Sequence, residues 1–574
     1  MKLMKDNKVF FLYAFLLVIT GASFLFMNIN YDAEYQIAMG YRMMKGDGLI
    51  TQMWEPHQTS AFLMAILLKI YITITGTTTG IVLYTQVVGL LIRGAISGLI
   101  YKAFRRVTDQ KPACIAAMLY FLVSPKEVLT PEFGNLQLWF GTLLFLLLVQ
   151  YFNNYKVRYL AAGAVCLCFG VLSYPSFIIT YAAVITLLFL YARKPVADSL
   201  IFTGVCAFIG GSFAAYLLIT IDIDVIFKCL EHALALEPTH TVNMVTKMIN
   251  HLIQIGKIAG LLLAVGAVGL VAEFIRRAIR SAKNKNGVKS EPFLKHWFLL
   301  SWLVLQVFLL LNILSVSNRG GYAFPFIVIL IQGFRKRHLL SEAESRIYIS
   351  AIWISFMSLI ATLILSDNAF LQAVTYMLIM ICASVLPLYR WYEQISVTKE
   401  VKRLFLLGLH SFLLLIIFRC LFIHIPMYDR SQICSILDDL ALIRSGPAIG
   451  IVTDEEGAAR QRDSMKEWKN YVKEGDTIWI LGDPVDTLGY LYEDVEVGAP
   501  TVMSTPTYNE YLLYYWELNP DKIPDVIILS SSFGALNWSL QNNEWLMQWL
   551  EESYQADEIV DGNYWRYYIK NENN

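Results

Sequence analysis

Long apolar runs recur along the first three quarters of the chain, and short polar segments separate them. A transmembrane helix needs roughly 20 mostly apolar residues, and many of the runs approach or reach that length. The pattern predicts about thirteen membrane spans between residues 9 and 423. We therefore expect an α-helical polytopic membrane domain over residues 1–426.

The first run, residues 9–27, follows a short polar segment with three lysines and could be a signal peptide or a first span. It is long for the apolar core of a signal peptide. No A-x-A cleavage site precedes the polar segment that follows. We therefore expect an uncleaved first span with the N-terminus inside.

Lysine and arginine residues orient the other runs. Residues 60–75 are apolar but contain Lys69, so they could span the membrane or lie along its surface. If they lie flat, the run at 79–101 crosses inward, and Lys102 and Arg105 face the cytoplasm, as the positive-inside rule requires. We therefore expect the flat orientation, which places every dense Lys/Arg loop on the cytoplasmic side.

The later runs then alternate in direction and leave the C-terminus outside. After the first span, the predicted spans are 79–101, 112–123, 136–152, 159–172, 177–191, 199–219, 258–274, 296–316, 322–334, 347–365, 370–388 and 404–423. Between two of them, residues 222–257 form a long outer segment with apolar residues at helical spacing. This segment predicts one or two helices at the membrane interface.

The pattern changes at Met427, where short apolar runs alternate with amphipathic segments. Predicted strands are 449–452, 477–481 and 526–530, and predicted helices are 468–473, 508–516 and 544–551. This alternation predicts a soluble α/β domain over residues 427–574, which we call the tail and expect to fold by itself.

Composition and charge support this division. The chain has 574 residues, 56% of them hydrophobic, and a mean hydropathy of +0.51. Its formal net charge is zero, but residues 427–574 hold 26 of the 46 acidic and only 10 of the 46 basic residues. A basic membrane body and an acidic tail fit a multi-pass plasma-membrane protein with the tail outside the cytoplasm. No basic, aromatic-rich run suggests a nucleic-acid partner.

The first outer loop, residues 28–78, holds an unusual density of groups that could carry chemistry. Asp32, Glu34, Asp47, Glu55 and His57 lie within its first thirty positions, in a stretch too polar for hydrocarbon. A single carboxylate at a membrane surface is usually ordinary polarity, but this grouping favours a site. Asp47 lies in a Lys-Gly-Asp-Gly turn sequence, and we expect its replacement by Asn to be nearly neutral.

The loop resembles a known family. From Asp32 it reads DAEYQIAMGYRMMKGDG, and from Trp54 it reads WEPHQTSAF. These stretches resemble the first outer loop of the GT-C membrane glycosyltransferases, especially the protein O-mannosyltransferases and aminoarabinose transferases. Those proteins have a D-E or D-x-E motif after the first span, a short helix ending near a glycine, and a proline motif opening the next apolar helix. The resemblance covers about residues 1–334, is strongest through residue 152, and does not extend to the tail.

The resemblance implies an inverting transfer of a sugar, a hexose or a pentose, from a polyprenyl-phosphate carrier. The acceptor would be a hydroxyl of a glycan, lipid or protein at the outer face. Asp32 matches the family's catalytic position and is the expected general base, with Glu34 in a supporting or metal-binding role. Glu55 matches a metal-binding or substrate-positioning residue, so a divalent metal ion is an expected candidate cofactor. His57 lies in the same motif as a substrate-binding candidate, but this sequence lacks the Lys that some members have there.

Two further substrate-binding candidates lie outside this loop. Glu132 opens a predicted span from the outside, similar to a second acidic residue of the family, although the helix dipole alone favours a carboxylate there. Arg319 begins an R-x-x-Y-x-x-P pattern similar to that of the family and could bind the lipid phosphate in a bidentate way. Snorkelling to lipid headgroups is the alternative for Arg319. The spacing of His232, Glu237 and His240 in the outer segment is no metal signature.

Two other classes of function compete with glycosyl transfer. A transporter or flippase for lipid-linked saccharides would place ionisable residues inside its spans near the membrane midplane. Here the acids collect at one interface, and the apolar runs are nearly uncharged. A non-catalytic assembly protein would not need the Asp32-x-Glu34 pair. The sequence therefore favours an enzyme acting at the interface.

Overall fold

The computed structural model describes residues 2–26, 29, 31–123, 129–236, 244–283, 323–365, 370–394, 399–423, 440–481, 484–504, 508–530 and 543–570. The helices are α1 (Lys2–Phe26), α2 (Tyr31–Lys45), α3 (Ala61–Thr75), α4 (Ile81–Arg105), α5 (Gln110–Leu122), α6 (Phe133–Asn154), α7 (Val157–Ser173), α8 (Thr180–Tyr191), α9 (Pro195–Thr220), α10 (Ile223–Leu236), α11 (Met244–Lys283), α12 (Ala323–Lys336), α13 (Glu342–Leu365), α14 (Phe370–Ala373), α15 (Leu378–Gln394), α16 (Lys399–Ile423), α17 (Glu455–Tyr471), α18 (Tyr511–Leu518) and α19 (Glu544–Trp549). The strands are β1 (Leu440–Leu442), β2 (Val452–Asp454), β3 (Thr477–Leu481), β4 (Glu496–Val497), β5 (Val526–Ser530), β6 (Glu558–Asp561) and β7 (Trp565–Ile569).

Several of these helices have the length and composition of membrane spans. Six within the described residues qualify: Gln58–Thr75, Ile81–Arg105, Phe133–Asn154, Pro195–Thr220, Glu342–Ile364 and Val374–Gln394. Shorter apolar helices are Leu12–Phe26, Val157–Ser173, Pro175–Tyr191 and Leu406–Phe418. The chain is therefore a mostly helical multi-pass membrane protein. The count of about thirteen spans stays a prediction, and the run at 296–316 lies outside the described residues.

The helices α3 and α11 cover parts of the two segments predicted to lie at the membrane interface. α3 has 15 residues and is therefore roughly 22 Å long, shorter than the roughly 30 Å of a hydrocarbon core. The flat orientation predicted for it stays a prediction. The predicted boundary at residue 257, between the interfacial segment and the span at 258–274, lies within α11, which runs unbroken from Met244 to Lys283. α11 contains no proline that would interrupt it.

Backbone contacts divide the chain into two compact units. One comprises Met1–Thr20, Ile100–Lys126 and Asn243–Ile423, and the other comprises Gly21–Leu99, Glu127–Val242 and His424–Asn574. This division does not follow the predicted boundary at residue 426, because the tail groups with the first outer loop and with α6 to α10. Separate folding of the tail stays a prediction.

The unit without the tail is a helical core in which α15 packs against α5, α12 and α13. Gly333 of α12 allows close approach to Ser384, since a Cβ at Gly333 would lie 2.8 Å from the Cβ of Ser384. The Ser355 hydroxyl of α13 accepts a hydrogen bond of 2.9 Å from the backbone N–H of Met380. At one end, the Arg390 guanidinium pairs with Glu344 at 2.9 Å.

In the other unit, α2 packs on α3, and α6 packs on α7, which also contacts α9. Two glycines permit close approaches. A Cβ at Gly40 of α2 would collide with the Met64 side chain of α3. A Cβ at Gly89 of α4 would collide with the Leu129 carbonyl just before α6. These contacts pack α2 on α3, and α4 on the segment just before α6.

The tail contains a five-stranded mixed sheet in the order β4-β3-β5-β7-β6. β3 is parallel to β4 and β5, whereas β7 is antiparallel to β5 and β6. The strands predicted at 477–481 and 526–530 are confirmed. The strand predicted at 449–452 begins later, at Val452, because Gly450 adopts a left-handed φ of 89° in the preceding turn. α17 is longer than the helix predicted at 468–473. Only Ser464 and Trp468 of α17 are buried, so its sequence has too weak an apolar pattern to predict the whole helix.

Candidate active site in the first outer loop

The first turn of α2 holds the two carboxylates that the sequence analysis singles out. α2 begins at Tyr31, so Asp32 and Glu34 lie at its N-terminal end, where the helix dipole favours negative charge. Their exposed fractions are only 6% and 4%. Both carboxylates are therefore enclosed by protein rather than lying on an open surface.

Asp32 lies on the face of α2 that packs on α3. Residues four apart share a helix face, so Asp32, Gln36 and Gly40 form one row. The Gln36 side-chain oxygen accepts a hydrogen bond of 3.0 Å from the Ser60 hydroxyl, and Gly40 packs on Met64. This row places Asp32 on the side of α2 that faces α3.

Glu34 lies on another face of the same helix. Residues two apart on an α-helix differ by roughly 200° in direction, so Asp32 and Glu34 do not face each other. Glu34 shares its face with Tyr41 and Lys45, which both bond to Oδ1 of Asp494, at 2.9 and 2.7 Å. Glu34 is thus on the side of α2 that faces Asp494 of the tail.

His57 lies within an aromatic stack. Its ring stacks on Phe133 at 4.2 Å between centroids and on Tyr174 at 4.9 Å. Tyr35 of α2 meets the edge of Phe133 at 6.4 Å. The stack therefore joins the first turn of α2, the loop after it and the start of α6. It encloses the Asp32 end of α2 with flat, largely apolar surfaces.

Glu132 caps α6. Its two carboxylate oxygens accept hydrogen bonds from the backbone N–H groups of Gly134 and Asn135, at 2.7 and 2.5 Å, and its side chain is fully buried. These bonds satisfy N–H groups that lack a partner inside the helix. The structure therefore gives Glu132 the role of a helix cap, and its contact with substrate stays a prediction. Glu132 precedes Phe133 of the aromatic stack and so holds that ring in place.

Glu55 pairs with Arg42. Arg42 Nη1 lies 2.9 Å from Oε1 of Glu55, and the backbone N–H of Val502 donates to the same oxygen at 3.1 Å. Glu55 is only 1% exposed. Its charge is thus matched by a guanidinium and a tail amide. The metal-binding or substrate-positioning role predicted from the resemblance stays a prediction.

Asp47 is also buried in this cluster. The turn is present, since Gly46 has a φ of 119°, but the Asp47 carboxylate faces inward. It pairs with Arg42 Nε at 2.7 Å and with Lys522 Nζ of the tail at 2.8 Å. The interpretation of Asp47 as an inert turn residue is wrong, because its partner Lys522 lies 475 positions away in the sequence.

The Arg42 guanidinium stays cationic in this setting. Burial by itself lowers its pKa, but the nearby Glu55 and Asp47 carboxylates outweigh burial and raise the pKa above the usual value for arginine. Lys522 follows the same pattern: burial lowers its pKa, while Asp47 and Glu496 raise it. The two cations are therefore stabilised by buried acids, whereas at Glu55 burial outweighs the nearby Arg42 and raises the pKa of the carboxyl.

The described residues do not fit a metal ion. Among them, no three His, Cys, Asp or Glu side chains lie close enough to hold one. Asp32 and Glu34 lie on different faces of α2, and Glu55 is paired with Arg42. Of the other candidates, His232 stacks on Tyr511 of the tail at 4.3 Å. Arg319, Glu237 and His240 lie outside the described residues.

Two arginines were not predicted from the sequence. Three of the six hydrogen-bond partners of Arg42 lie in the tail, more than 450 positions later, so its local sequence gave no signal. Arg93 lies midway along α4, is 2% exposed, and has its guanidinium carbon 5.9 Å from the ring centroid of Phe24. A buried cation within a span is unusual and marks a functional candidate. The sequence does indicate this residue, because Arg93 interrupts a long apolar run between the polar residues Gln86 and Ser97.

No protein-family model matches the sequence, and no curated protein matches it either. Solved structures do match. The crystal structure of ArnT from Cupriavidus metallidurans bound to undecaprenyl phosphate shares 10% sequence identity, covers 98% of this chain and 97% of its own, and has a TM-score of 0.51.

The oligosaccharyltransferase of Archaeoglobus fulgidus is also similar. Its complex with Zn and sulfate shares 11% identity over 90% of this chain and 68% of its own, with a TM-score of 0.45. The archaeal oligosaccharyltransferase AglB from the same organism, in complex with an inhibitory peptide and a dolichol-phosphate, shares 12% identity over 90% of this chain and 69% of its own, with a TM-score of 0.42. The expected resemblance to GT-C membrane glycosyltransferases is confirmed at the level of the fold by ArnT. It extends over the tail as well, for which the sequence showed no resemblance.

Proposed function

We propose that this chain is a membrane glycosyltransferase that moves a sugar from a polyprenyl-phosphate carrier to an acceptor hydroxyl at the outer face of the plasma membrane. The fold supports this proposal, since it is shared with ArnT over nearly the whole length of both chains. The ArnT structure holds undecaprenyl phosphate, a carrier of the proposed class. The acceptor would be a glycan, a lipid or a protein.

The burial of Asp32 in the first turn of α2 is the observation that carries the proposal. Asp32 is enclosed on the side of α2 that faces α3 and near the aromatic stack of His57, Phe133 and Tyr174. A carboxylate shielded from water in this way is suited to accept a proton from a bound hydroxyl. The flat rings beside it offer surfaces on which a sugar ring can pack.

In the proposed reaction, Asp32 removes the proton of the acceptor hydroxyl as its oxygen attacks the anomeric carbon of the sugar. The attack comes from the side opposite the phosphate, so the bond between the anomeric carbon and the phosphate oxygen breaks with inversion. The polyprenyl phosphate leaves with the bonding electron pair. A cation near the leaving phosphate would stabilise its developing charge, and Arg319 is the residue proposed for that role. Asp32 then returns its proton to water.

The other proposed site residues have separate tasks. We assign Glu34 a supporting role on the tail side of α2, and His57 a substrate contact within its aromatic stack. Glu132 holds Phe133 through the cap of α6. Glu55 holds the loop through Arg42. No step of the proposed reaction uses a metal ion, because the described residues do not fit one.

The test is Asp32→Asn, which keeps the size of the side chain but cannot act as the base. We expect transfer to fall about 10²- to 10⁴-fold, the usual cost of losing a general base. Membranes with matched amounts of each variant receive undecaprenyl phosphate carrying a radiolabelled hexose or pentose. The label that reaches glycan, lipid or protein is then counted.

Asp224→Asn is the matched control, because Asp224 is an exposed carboxylate in the first turn of α10. It should transfer at the parent rate. Full activity in Asp32→Asn would remove Asp32 from the role of base. If the parent protein moved the labelled lipid across the bilayer without any transfer, a flippase would replace the enzyme as the function.

A further inference from the structure

Arg42 is the central residue of a junction between the first outer loop and the tail. It is 1% exposed, and each of its guanidinium nitrogens has a partner. On the loop side it bonds to Asp47, Glu55 and the carbonyl of Gln52. On the tail side its partners are the carbonyls of Pro500 (3.2 Å) and Ala499 (3.0 Å) and the hydroxyl of Tyr515 (3.4 Å).

Direct bonds between loop and tail surround this arginine. The backbone N–H of Trp54 donates to the Pro500 carbonyl at 2.8 Å, and the side-chain amide of Asn519 donates to the Thr51 carbonyl at 2.9 Å. Lys522 approaches the cluster from the tail and pairs with Asp47. The loop and the tail are therefore joined by buried polar groups of both. Such groups are stabilised only while both sides stay together.

The position of Arg42 on α2 gives this junction a consequence for Asp32. The two residues lie ten positions apart on one helix, which is roughly 15 Å along its axis. An α-helix of this length moves as a rigid rod, so holding Arg42 against the tail also restricts the first turn. The opposite side of α2 rests on α3 through Gly40 and Met64. α2 is thus held between the tail and α3.

We propose that Arg42 is a positioning residue for the transfer reaction, and that the tail takes part in catalysis by holding α2, and with it Asp32, in the reactive position. This inference rests on the proposed function. Arginine is required because its planar fork serves several acceptors at fixed angles, whereas a lysine ammonium has three donors on a flexible stem. A small displacement of a catalytic group lowers the rate strongly, by as much as about 10²-fold for 1 Å.

The experiment compares Arg42→Lys, Arg42→Gln and Lys522→Gln in the full-length protein. Lys522→Gln weakens the junction from the tail side, and it replaces Arg42→Gln in the comparison if that variant does not fold. Lys45→Gln is the matched control, because Lys45 is on the same helix but pairs with Asp494 at the surface. Hydrogen exchange of residues 31–45 and of β3 is followed by mass spectrometry, and kcat and KM for the lipid donor are measured in parallel.

We expect the Arg42 variants and Lys522→Gln to speed exchange in α2 while β3 stays protected. We expect kcat to fall by about tenfold to 10²-fold with little change in KM, and less in Arg42→Lys than in Arg42→Gln. Lys45→Gln should stay within about twofold of the parent, because surface ion pairs contribute little.

Two results would overturn the inference while leaving the proposed function intact: unchanged exchange in α2, or faster exchange with an unchanged kcat. An active parent whose variants lose only donor KM would make Arg42 a binding residue instead. If the parent transfers no sugar, the proposed function itself fails, and the inference fails with it.

Discussion

Carboxylates with similar sequence surroundings take different roles at the scale of single residues. Asp32 and Asp47 both lie in the first outer loop, and both are buried. Asp47 is paired with Arg42 and Lys522, which makes it part of the junction. Both carboxylate oxygens of Glu132 accept hydrogen bonds from backbone N–H groups of α6. These partners, rather than the residue type, give Asp47 and Glu132 their structural roles.

Asp47→Asn should therefore destabilise the protein, contrary to the expectation from its turn sequence. The change leaves Arg42 and Lys522 buried with less compensating charge. Breaking a buried pair typically costs 3–5 kcal/mol, and we expect roughly 3 kcal/mol here because Glu55 and Glu496 still pair with the two cations. The thermal unfolding midpoint of the purified protein measures the change.

Asp561→Asn is the control for Asp47→Asn, because Asp561 forms an exposed pair with Arg566 in the same tail. Its unfolding midpoint should match that of the parent. An unchanged midpoint for Asp47→Asn would show that the cluster contributes no net stability.

At the scale of elements, α10 has two different faces. Ile223, Phe227, Leu230 and Leu234 are exposed apolar residues at helical spacing, and they fit the prediction that this segment lies at the membrane interface. The opposite face holds the buried His232, which stacks on Tyr511 of α18. α10 is thus attached to the tail by an aromatic contact that contains a titratable group.

The contact between α10 and α18 should weaken in acid. Burial lowers the pKa of His232, and Lys228 lowers it further, although Glu231 acts in the opposite direction. A group whose pKa is depressed in the folded state stabilises the fold above its unfolded pKa of about 6.5, and this stability is lost as the pH falls through the lowered value. The aromatic neighbours Tyr511 and Trp54 carry no charge that would offset protonation.

The measurement is the unfolding midpoint of the parent and of His232→Gln between pH 7.5 and 5, a range of roughly one unit or more on either side of the histidine value. We expect the parent to lose stability relative to the variant as the pH falls. Parallel curves for the two proteins would exclude His232 as the source of the pH dependence.

At the scale of the whole molecule, charge is divided between the two ends of the chain. The basic residues concentrate before Met427 and the acidic residues after it. The positive-inside rule then predicts that the basic loops face the cytoplasm and that the tail is outside. The predicted orientation puts the first outer loop on the same side as the tail, as the bonds between Arg42 and the tail require.

A reporter that is active only in the cytoplasm tests this orientation. Fused after Asn574, it should be silent, because the tail is expected outside. The same reporter inserted after Arg106, in a predicted cytoplasmic loop, should be active and serves as the control. Strong activity at Asn574 would reverse the orientation and move the candidate site to the cytoplasmic face.

Local patterns in the sequence determined much of this protein. Apolar runs predicted the helices α4, α6 and α9, and short β-branched runs predicted β3 and β5, because each such element depends mainly on its own residues and their spacing. The loop motifs also located Asp32 and Glu34 after the first span, close to the observed start of α2. The GT-C resemblance followed from these same motifs.

Only the tertiary structure decided which partners Arg42 and Asp47 have. Arg42 meets carbonyls of Ala499 and Pro500 more than 450 positions later, and Asp47 meets Lys522. No periodicity or spacing in the loop encodes these partners, because burial and ion pairing depend on segments that only folding brings together. The separation of Asp32 from Glu34 likewise required the observation that α2 starts before both residues, which turns two neighbouring acids toward different sides of one helix.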